Sequence, residues 1–427
     1  VVISQLGQTL VHTADSVIVG QFAGTVALAA VALGTSVFMT VLVAGIGIAY
    51  GLTPLIAQAN GRGDRAECGR LLGSSLLLNI GSGIVLSVLI LFGFEAVLEQ
   101  LGQDPAVVDQ ARPFLQLLAV SLIPLMVFNT FKQFAEGLGF TRQAMNITLW
   151  GNALNIIVGI VLVKGMFGIE PMGVRGAGLA TLIDRVLMSL AMGFYIFRSE
   201  RFRAYRGAFR LLSFDRARSL QLLKIGGPVA LQFVFEVSAF SVAAIMAGTI
   251  GATAQAAHQV AINLASMTYM MASGVASAAA IKSGNHFGAR NFTALRLSAL
   301  SSYHIVIGFM SLTALLFILG NNLLPYMYTS DTAVITIAAQ LLIFAGLFQL
   351  FDGGQVVGLG ILRGMSDVQV PTAITFIAYW VVGLPMAYLL GLTFGWGVSG
   401  IWTGLTFGLL VSAVLLYLRV RGKIRGL

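Results

Sequence analysis

The sequence predicts an all-α integral membrane protein with twelve transmembrane helices in two pseudo-symmetric six-helix lobes. Three observations carry that expectation. The first is composition: of 427 residues, 57% are hydrophobic and 10% charged, with a mean hydropathy of +0.91. A soluble globular chain is about 25% charged. The second is the continuity of apolar runs such as 74–94 and 299–319. A helix needs about 20 apolar residues to cross a bilayer, so short connectors leave room for about twelve. Barrel strands would instead alternate polar and apolar residues over about 10 positions. The third observation is an internal repeat.

In chain order, the first half reads as spans at 1–22, 27–57, 70–93, 110–135, 143–164 and 176–197. The chain does not begin with Met, and Asp15 comes early in its apolar run, so the first helix is expected to lack its start. The longest connector, 198–224, is strongly basic. The second half reads as spans at 225–248, 254–283, 295–319, 332–360, 369–391 and 396–419. This divides the chain into an N-lobe (1–197), a basic connector (198–224) and a C-lobe (225–427) with a short basic tail. Pro124, Pro228, Pro371 and Pro385 lie in or at the edge of spans. Each can kink a helix or free carbonyls that then need other partners.

Three segments recur in the same order. IAQANGRGDRAECGRLL (56–72) parallels IKSGNHFGARNFTALRL (281–297), GLGFTRQAMN (137–146) parallels GLGILRGMSD (358–367), and GVRGAGLATL (173–182) parallels GVSGIWTGLT (397–406). A parallel repeat of six spans implies two lobes related by an axis along the membrane normal, with a substrate path between them. That architecture favours a transporter over a single-pocket enzyme.

The formal charge of +9 does not point to nucleic acid, because the basic residues fall in alternate connectors. The 198–224 connector carries Arg198, Arg201, Arg203, Arg206, Arg210, Arg216, Arg218 and Lys224. The tail carries Arg419, Arg421, Lys423 and Arg425. The intervening connectors hold only Arg112, Lys164 and Arg175. By the positive-inside rule, the 198–224 connector and both termini are expected in the cytoplasm of a multi-pass inner-membrane protein. Cys68 is the one cysteine, so no intrachain disulfide forms and no Cys-rich metal site exists.

Three lone carboxylates interrupt apolar runs: Asp15 in 10–22, Glu236 in 229–247 and Asp352 in 341–359. At about 1.5 Å per residue, Asp15 lies roughly 14 Å from the polar connector near Gly24, close to the bilayer centre. An ionised group there costs a few kcal/mol or more and survives where it meets a partner or a wet cavity. Such a carboxyl can exchange a proton, or join other oxygens around a hard cation. A fourth acid, Asp184, neighbours Arg185. Adjacent helix residues point about 100° apart, so an ion pair with another helix is expected there. Lys132 and Glu136, at i,i+4 spacing near a helix end, read as a surface pair. Asn152 and Asn155 in span five, and Thr181 in span six, are buried oxygen donors for Na⁺ or helix-to-helix hydrogen bonds. The runs MTYMM (267–271) and FAGLFQLF (344–351) read as packing rather than as cavity lining.

Enzyme signatures are absent. There is no HExxH and no P-loop, and the four histidines are scattered. Gly61-Arg62-Gly63-Asp64 matches the GxGD string of intramembrane proteases, but it sits in a polar connector, where an aspartate at membrane depth is impossible.

The strings TADSVIVGQFAGTVALAAVALG (13–34), PVALQFVFEVSAF (228–240) with Ala256-Ala257-His258-Gln259-Val260-Ala261, and FQLFDGGQVVGLGILRG (348–364) resemble the MATE (multidrug and toxic compound extrusion) family, in its NorM-like branch. The resemblance spans essentially the whole chain. It implies twelve helices in two lobes forming an outward- or inward-open V, and export of amphipathic, often cationic, small molecules coupled to Na⁺ or H⁺, with no other cofactor. It further implies a lipid bilayer as surroundings and no catalytic residue; a monomer is expected. By the same resemblance, Glu236 and Asp352 form the C-lobe cation site. Asp15 is the first-helix acid, joined by Asn155 and Thr181 in an N-lobe site for cation, proton or substrate. Gly159 stands where many members have Asn or Asp, and Asp184 stands where a small polar residue is common, so Asp184 joins that set as a compensating acid. The rival within the superfamily is a lipid-linked saccharide flippase. Its pyrophosphate would want basic residues in the spans, where Lys132 and Arg185 are the main ones.

Overall fold

Without water to bond to, a backbone in hydrocarbon must satisfy its own N–H and C=O groups. The computed structural model describes residues 17–100, 105–210 and 215–427 and is helical almost throughout. Eleven of its helices are long and apolar enough to cross a membrane. They are α1 (Thr25–Gly61), α2 (Arg65–Gln100), α3 (Pro105–Gly137), α4 (Thr141–Lys164), α5 (Gly173–Arg198), α6 (Arg216–Ile250), α7 (Ala252–Gly288), α8 (Phe292–Leu319), α9 (Thr332–Gly364), α10 (Gln369–Thr393) and α11 (Gly397–Arg425). They correspond to the second through twelfth expected spans. The first, 1–22, lies mainly outside the described residues, and Asp15 with it.

The chain divides into two compact units, the first running to Ala230 and the second from Leu231, both within α6. In the first unit, α6 begins at Arg216, well before the expected 225. The Gly226-Gly227-Pro228 string does not break it. Gly226 sits against the Ile48 backbone, where a side chain would collide. The end of the expected 198–224 connector, from Arg216 on, is therefore helix. Nearer its start lie two short turns, Glu200–Phe202 and Arg203–Arg206. Phe202 is fully buried among Phe134, Phe140 and Tyr195. The Tyr205 hydroxyl donates to Asn60 Oδ1 at 3.0 Å, and the strap's backbone rests on Gly69 and Gly73. Arg218 grips Glu67 through two hydrogen bonds of 2.9 Å. The Arg218 backbone N–H, donating to Asp215, holds the Asp215 carboxyl below its ordinary value.

The second unit is cored by two apolar clusters. One joins α6, α7, α9, α10 and α11 around Phe348, Tyr379 and Trp402. The other joins α7, α8, α9 and the end of α11. Gly400, Gly404 and Gly408 form a stripe on α11 that meets α10 backbone to backbone, at Leu390 and Gly391, at Ala387, and at Gly383 and Ala378. Small residues four apart permit this approach. Two stretches of α10, Ile377–Gly383 and Leu389–Thr393, are wound as π-helix. Pro385 has no N–H for the preceding turn, and its ring crowds that turn's carbonyl, which the wider i→i+5 register accommodates.

The repeat is visible in the turns. A separation of 227 residues relates the positive-φ positions Gly24 and Gly251, Gly63 and Arg290, and Gly139 and Ser366. The hydrogen bonds agree: Gly139 N–H donates to Glu136 O and Phe140 to Ala135 O, while Ser366 donates to Arg363 O and Asp367 to Leu362 O. The second sequence match therefore slips by six residues, since Gly137 corresponds to Gly364 rather than Gly358. The string GLG closes the helix in the first half but lies inside it in the second, where a non-glycine, Ser366, adopts the left-handed turn.

An added side chain decides between packing and propensity. Gly404→Leu would drive into the Ala387 backbone, whereas Gly422 has nothing within 4 Å of a new Cβ. We expect Gly404→Leu to cost about 1–3 kcal/mol or more and Gly422→Leu to be neutral or stabilising, read as thermal midpoints in detergent.

Candidate functional site

The structure brings Glu236 and Asp352 together inside the second unit. Glu236 comes from α6, Asp352 from α9, and their carboxyls are close enough to interact electrostatically. Both are buried, at 7% and 3% exposure. The Tyr269 hydroxyl of α7 hydrogen-bonds Glu236, and the Arg363 guanidinium of α9 acts on the same carboxyl. Gln355 lies one turn beyond Asp352, and its Nε2 donates to the Tyr379 hydroxyl on α10 at 2.7 Å. Trp380 Nε1 donates to the carbonyl of Phe235, next to Glu236, at 3.2 Å. The π segment of α10 thus supplies two consecutive residues to this neighbourhood.

Two buried acceptor oxygens here, Asp352 Oδ1 and Gln355 Oε1, have no hydrogen-bond donor. Carboxylate, amide and phenol oxygens are hard donors, suited to an alkali cation or to a shared proton. Among the described residues no group of three or more His, Cys, Asp or Glu side chains converges as a metal site. A cation in this cluster would therefore draw on the amide and phenols as well as the two acids.

An aromatic path leads away from the cluster. Tyr379 meets Phe240, Phe240 meets Phe348, and Phe348 meets Trp402, with ring centroids 5.3–6.0 Å apart. Trp402 Nε1 donates to His258 Nδ1 at 3.1 Å, so His258, 1% exposed, is an acceptor there.

In the first unit, Asn155 Nδ2 on α4 donates to Thr181 Oγ1 on α5 at 3.3 Å, and Thr181 bonds back to Ala177 O. One turn along, the Asp184 carboxylate lies against Gly151, where an added Cβ would come within 2.7 Å of Oδ1. The ion pair expected at Asp184 does not form among the described residues, and its Oδ1 lacks a hydrogen bond, as does Asn155 Oδ1. The reason is the facing residue: the neighbouring helix presents Gly151 to the carboxylate rather than a cation, while Arg185 turns to α3 and α1, donating to Ser121 Oγ at 2.6 Å and stacking 4.8 Å over Phe38. Lys132 and Glu136, read as a surface pair, are buried at 3% exposure each. The helix end that carries them is covered by α1 and by the strap after α5.

Sequence reasoning placed Glu236 and Asp352 but missed Gln355, Tyr269 and Tyr379. Gln355, three residues past Asp352 in an apolar run, carried a usable signal. Tyr269 hid in a methionine-rich run. Tyr379 is aimed by the π-helical winding, of which Pro385 is the only sequence trace.

A sequence profile of the MatE family matches residues 1–161 and again residues 228–389. The chain belongs to the MatE family. The two matched stretches begin 227 residues apart, the separation seen in the turns. The chain is 33% identical to the multidrug resistance protein MdtK of Photorhabdus laumondii, over 98% of this chain and 93% of that one. It is 34% identical to a probable multidrug resistance protein NorM of Xanthomonas campestris, over 100% and 93%. Its fold is that of the eukaryotic MATE transporter AtDTX14 (TM-score 0.88, 21% identity, covering 98% of this chain and 93% of that one). It matches equally a MATE protein crystallised in a bent conformation (TM-score 0.91, 22% identity, covering 100% and 93%). MATE proteins are transporters, and this chain is an integral membrane transporter rather than an enzyme.

The Gln355–Tyr379 bond lends itself to a double-mutant test. Tyr379→Phe leaves a buried amide without its acceptor and is expected to cost about 1–3 kcal/mol, whereas Tyr379→Phe with Gln355→Leu removes both partners and recovers most of that loss. Chemical denaturation of the purified variants measures both.

Proposed function

We propose that this MATE protein exports amphipathic, often cationic, small organic molecules by antiport against Na⁺ or H⁺. The observation that carries the reading is the buried Glu236–Asp352 cluster, in which Asp352 Oδ1 and Gln355 Oε1 meet no hydrogen-bond donor among the described residues. Relatives about one-third identical over nearly the whole chain are named multidrug resistance proteins, which supports the substrate class. An entering cation neutralises the carboxyls, alters the balance between conformations open to opposite sides, and lowers affinity for a bound organic cation. By reciprocity, the organic cation weakens coupling-ion binding in the same state. Asn155, Thr181 and Asp184 of the first unit supply a second polar site for proton or substrate, to which the family resemblance adds Asp15, outside the described residues. The protein works as a monomer in the inner membrane, with both termini and the basic strap in the cytoplasm, as the distribution of arginine and lysine requires.

The flippase reading is the weaker one. Arg185 is already committed to Ser121 and Phe38, and Lys132 lies buried in the first unit.

Dye efflux from proteoliposomes, under separately imposed Na⁺ and pH gradients, tests the proposal. Glu236→Gln and Asp352→Asn are each expected to lower gradient-driven export by about fivefold or more. The gradient whose effect they abolish identifies the coupling ion. Wild-type export by both Glu236→Gln and Asp15→Asn would refute carboxyl-mediated coupling.

A further inference from the structure

The first unit carries an apolar groove of about 430 Å³ on the side of α2. Ile48, Leu77, Gly81, Ser82, Val85 and Ser219 line it, from α1, α2 and the first turn of α6. Val85 is 66% exposed, so the groove opens laterally, toward what is hydrocarbon in a membrane protein. No carboxylate lines it, and its lining residues belong to the first unit, whereas Glu236 and Asp352 belong to the second.

One end of the groove is basic. Gly73, Leu77 and Gly81 are four residues apart and form one stripe along α2. The backbone carbonyl of Arg210 sits on Gly73, 2.6 Å from where a Cβ would be, which sets Arg210 at the foot of the stripe. Arg216 precedes the lining residue Ser219 by three positions on α6, on the same face one turn lower. Both arginines are exposed, and neither forms an ion pair among the described residues. Their neighbour Arg218 is taken up by Glu67 and Asp215.

We propose that this groove is a binding site for an anionic phospholipid, with an acyl chain along Leu77, Gly81 and Val85 and the headgroup phosphate between Arg210 and Arg216. The chemistry selects this occupant. An apolar trough open to the bilayer takes a hydrocarbon chain, two arginines at its mouth attract a phosphate, and the same arginines repel the organic cations that the transport reading assigns elsewhere. The glycines at 69, 73 and 81 let the basic strap lie flat on α2 and keep the trough open. The inference does not rest on the transport reading, since it concerns lipid retention alone.

Native mass spectrometry of the purified full-length protein, with phosphatidylglycerol or phosphatidylcholine added at equal concentration, tests it. The wild type is expected to retain phosphatidylglycerol in preference. Each arginine contributes about fivefold, so Arg210→Gln with Arg216→Gln loses about 25-fold of that preference. Gly81→Leu fills the trough without a clash, because nothing lies within 4 Å of its Cβ, and is expected to lose bound phosphatidylglycerol. Glycerol 3-phosphate, a headgroup without chains, is expected not to compete. Equal retention of the two lipids by the wild type would overturn the proposal. So would loss of lipid in the arginine variant with full retention in Gly81→Leu, which would place the lipid on the strap alone, or displacement by glycerol 3-phosphate.

Discussion

Everything in this fold follows from the absence of water around its helices. The backbone must close its own hydrogen bonds, which makes each span a helix. Helices in hydrocarbon have no hydrophobic drive toward one another, so they cohere through close packing. Here that packing is done by glycine. The Gly400, Gly404 and Gly408 stripe lets α11 touch the α10 backbone, and Gly226 lets the start of α6 touch α1. Where Pro385 spoils the regular ladder, α10 widens into π turns rather than breaking. That widening carries Tyr379 to Gln355.

The same constraint sorts the polar side chains. In the first unit Arg185 meets a serine hydroxyl and a phenylalanine face and Asn155 Nδ2 meets Thr181, while Asn155 Oδ1 and Asp184 Oδ1 are left without a donor. In the second, Glu236 and Asp352 interact within one buried cluster in which Asp352 Oδ1 and Gln355 Oε1 meet no donor among the described residues. Burial of such oxygens is costly unless a ligand completes them, which is the physical ground on which cation binding is proposed at this cluster. The repeat supplies the scaffold for both units but not the chemistry. At the 227-residue separation Asp352 corresponds to Leu125, Tyr379 to Asn152 and Arg363 to Glu136. Duplication preserved the turns, whose geometry any helical hairpin needs, while the interiors diverged.

Hydropathy located all eleven described spans, because each must bury its length in hydrocarbon whatever its neighbours do. It was weakest at helix ends. The start of α6 is held by Arg218, which bonds Glu67 on α2, a partner 151 positions away. Lys132 and Glu136 looked like a surface pair by spacing, yet the strap and α1 cover them. Letter identity misaligned the second repeat by six residues, since a left-handed turn is a backbone conformation that Ser366 can adopt as Gly139 does.

The sequence by itself determined that this chain lives in a bilayer, that it is built from a repeated set of spans, and that Glu236 and Asp352 are carboxyls set in apolar runs, where an ionised group is costly. Those are properties of single residues and local runs measured against a uniform solvent. Only the tertiary structure decided which oxygens gather around those two acids, that Asp184 faces a glycine instead of a cation, and that Arg210 and Arg216 stand at the foot of an apolar trough. These depend on helix rotation and approach, which are set by contacts between residues far apart in the chain and by a proline-induced change of winding that hydropathy does not register.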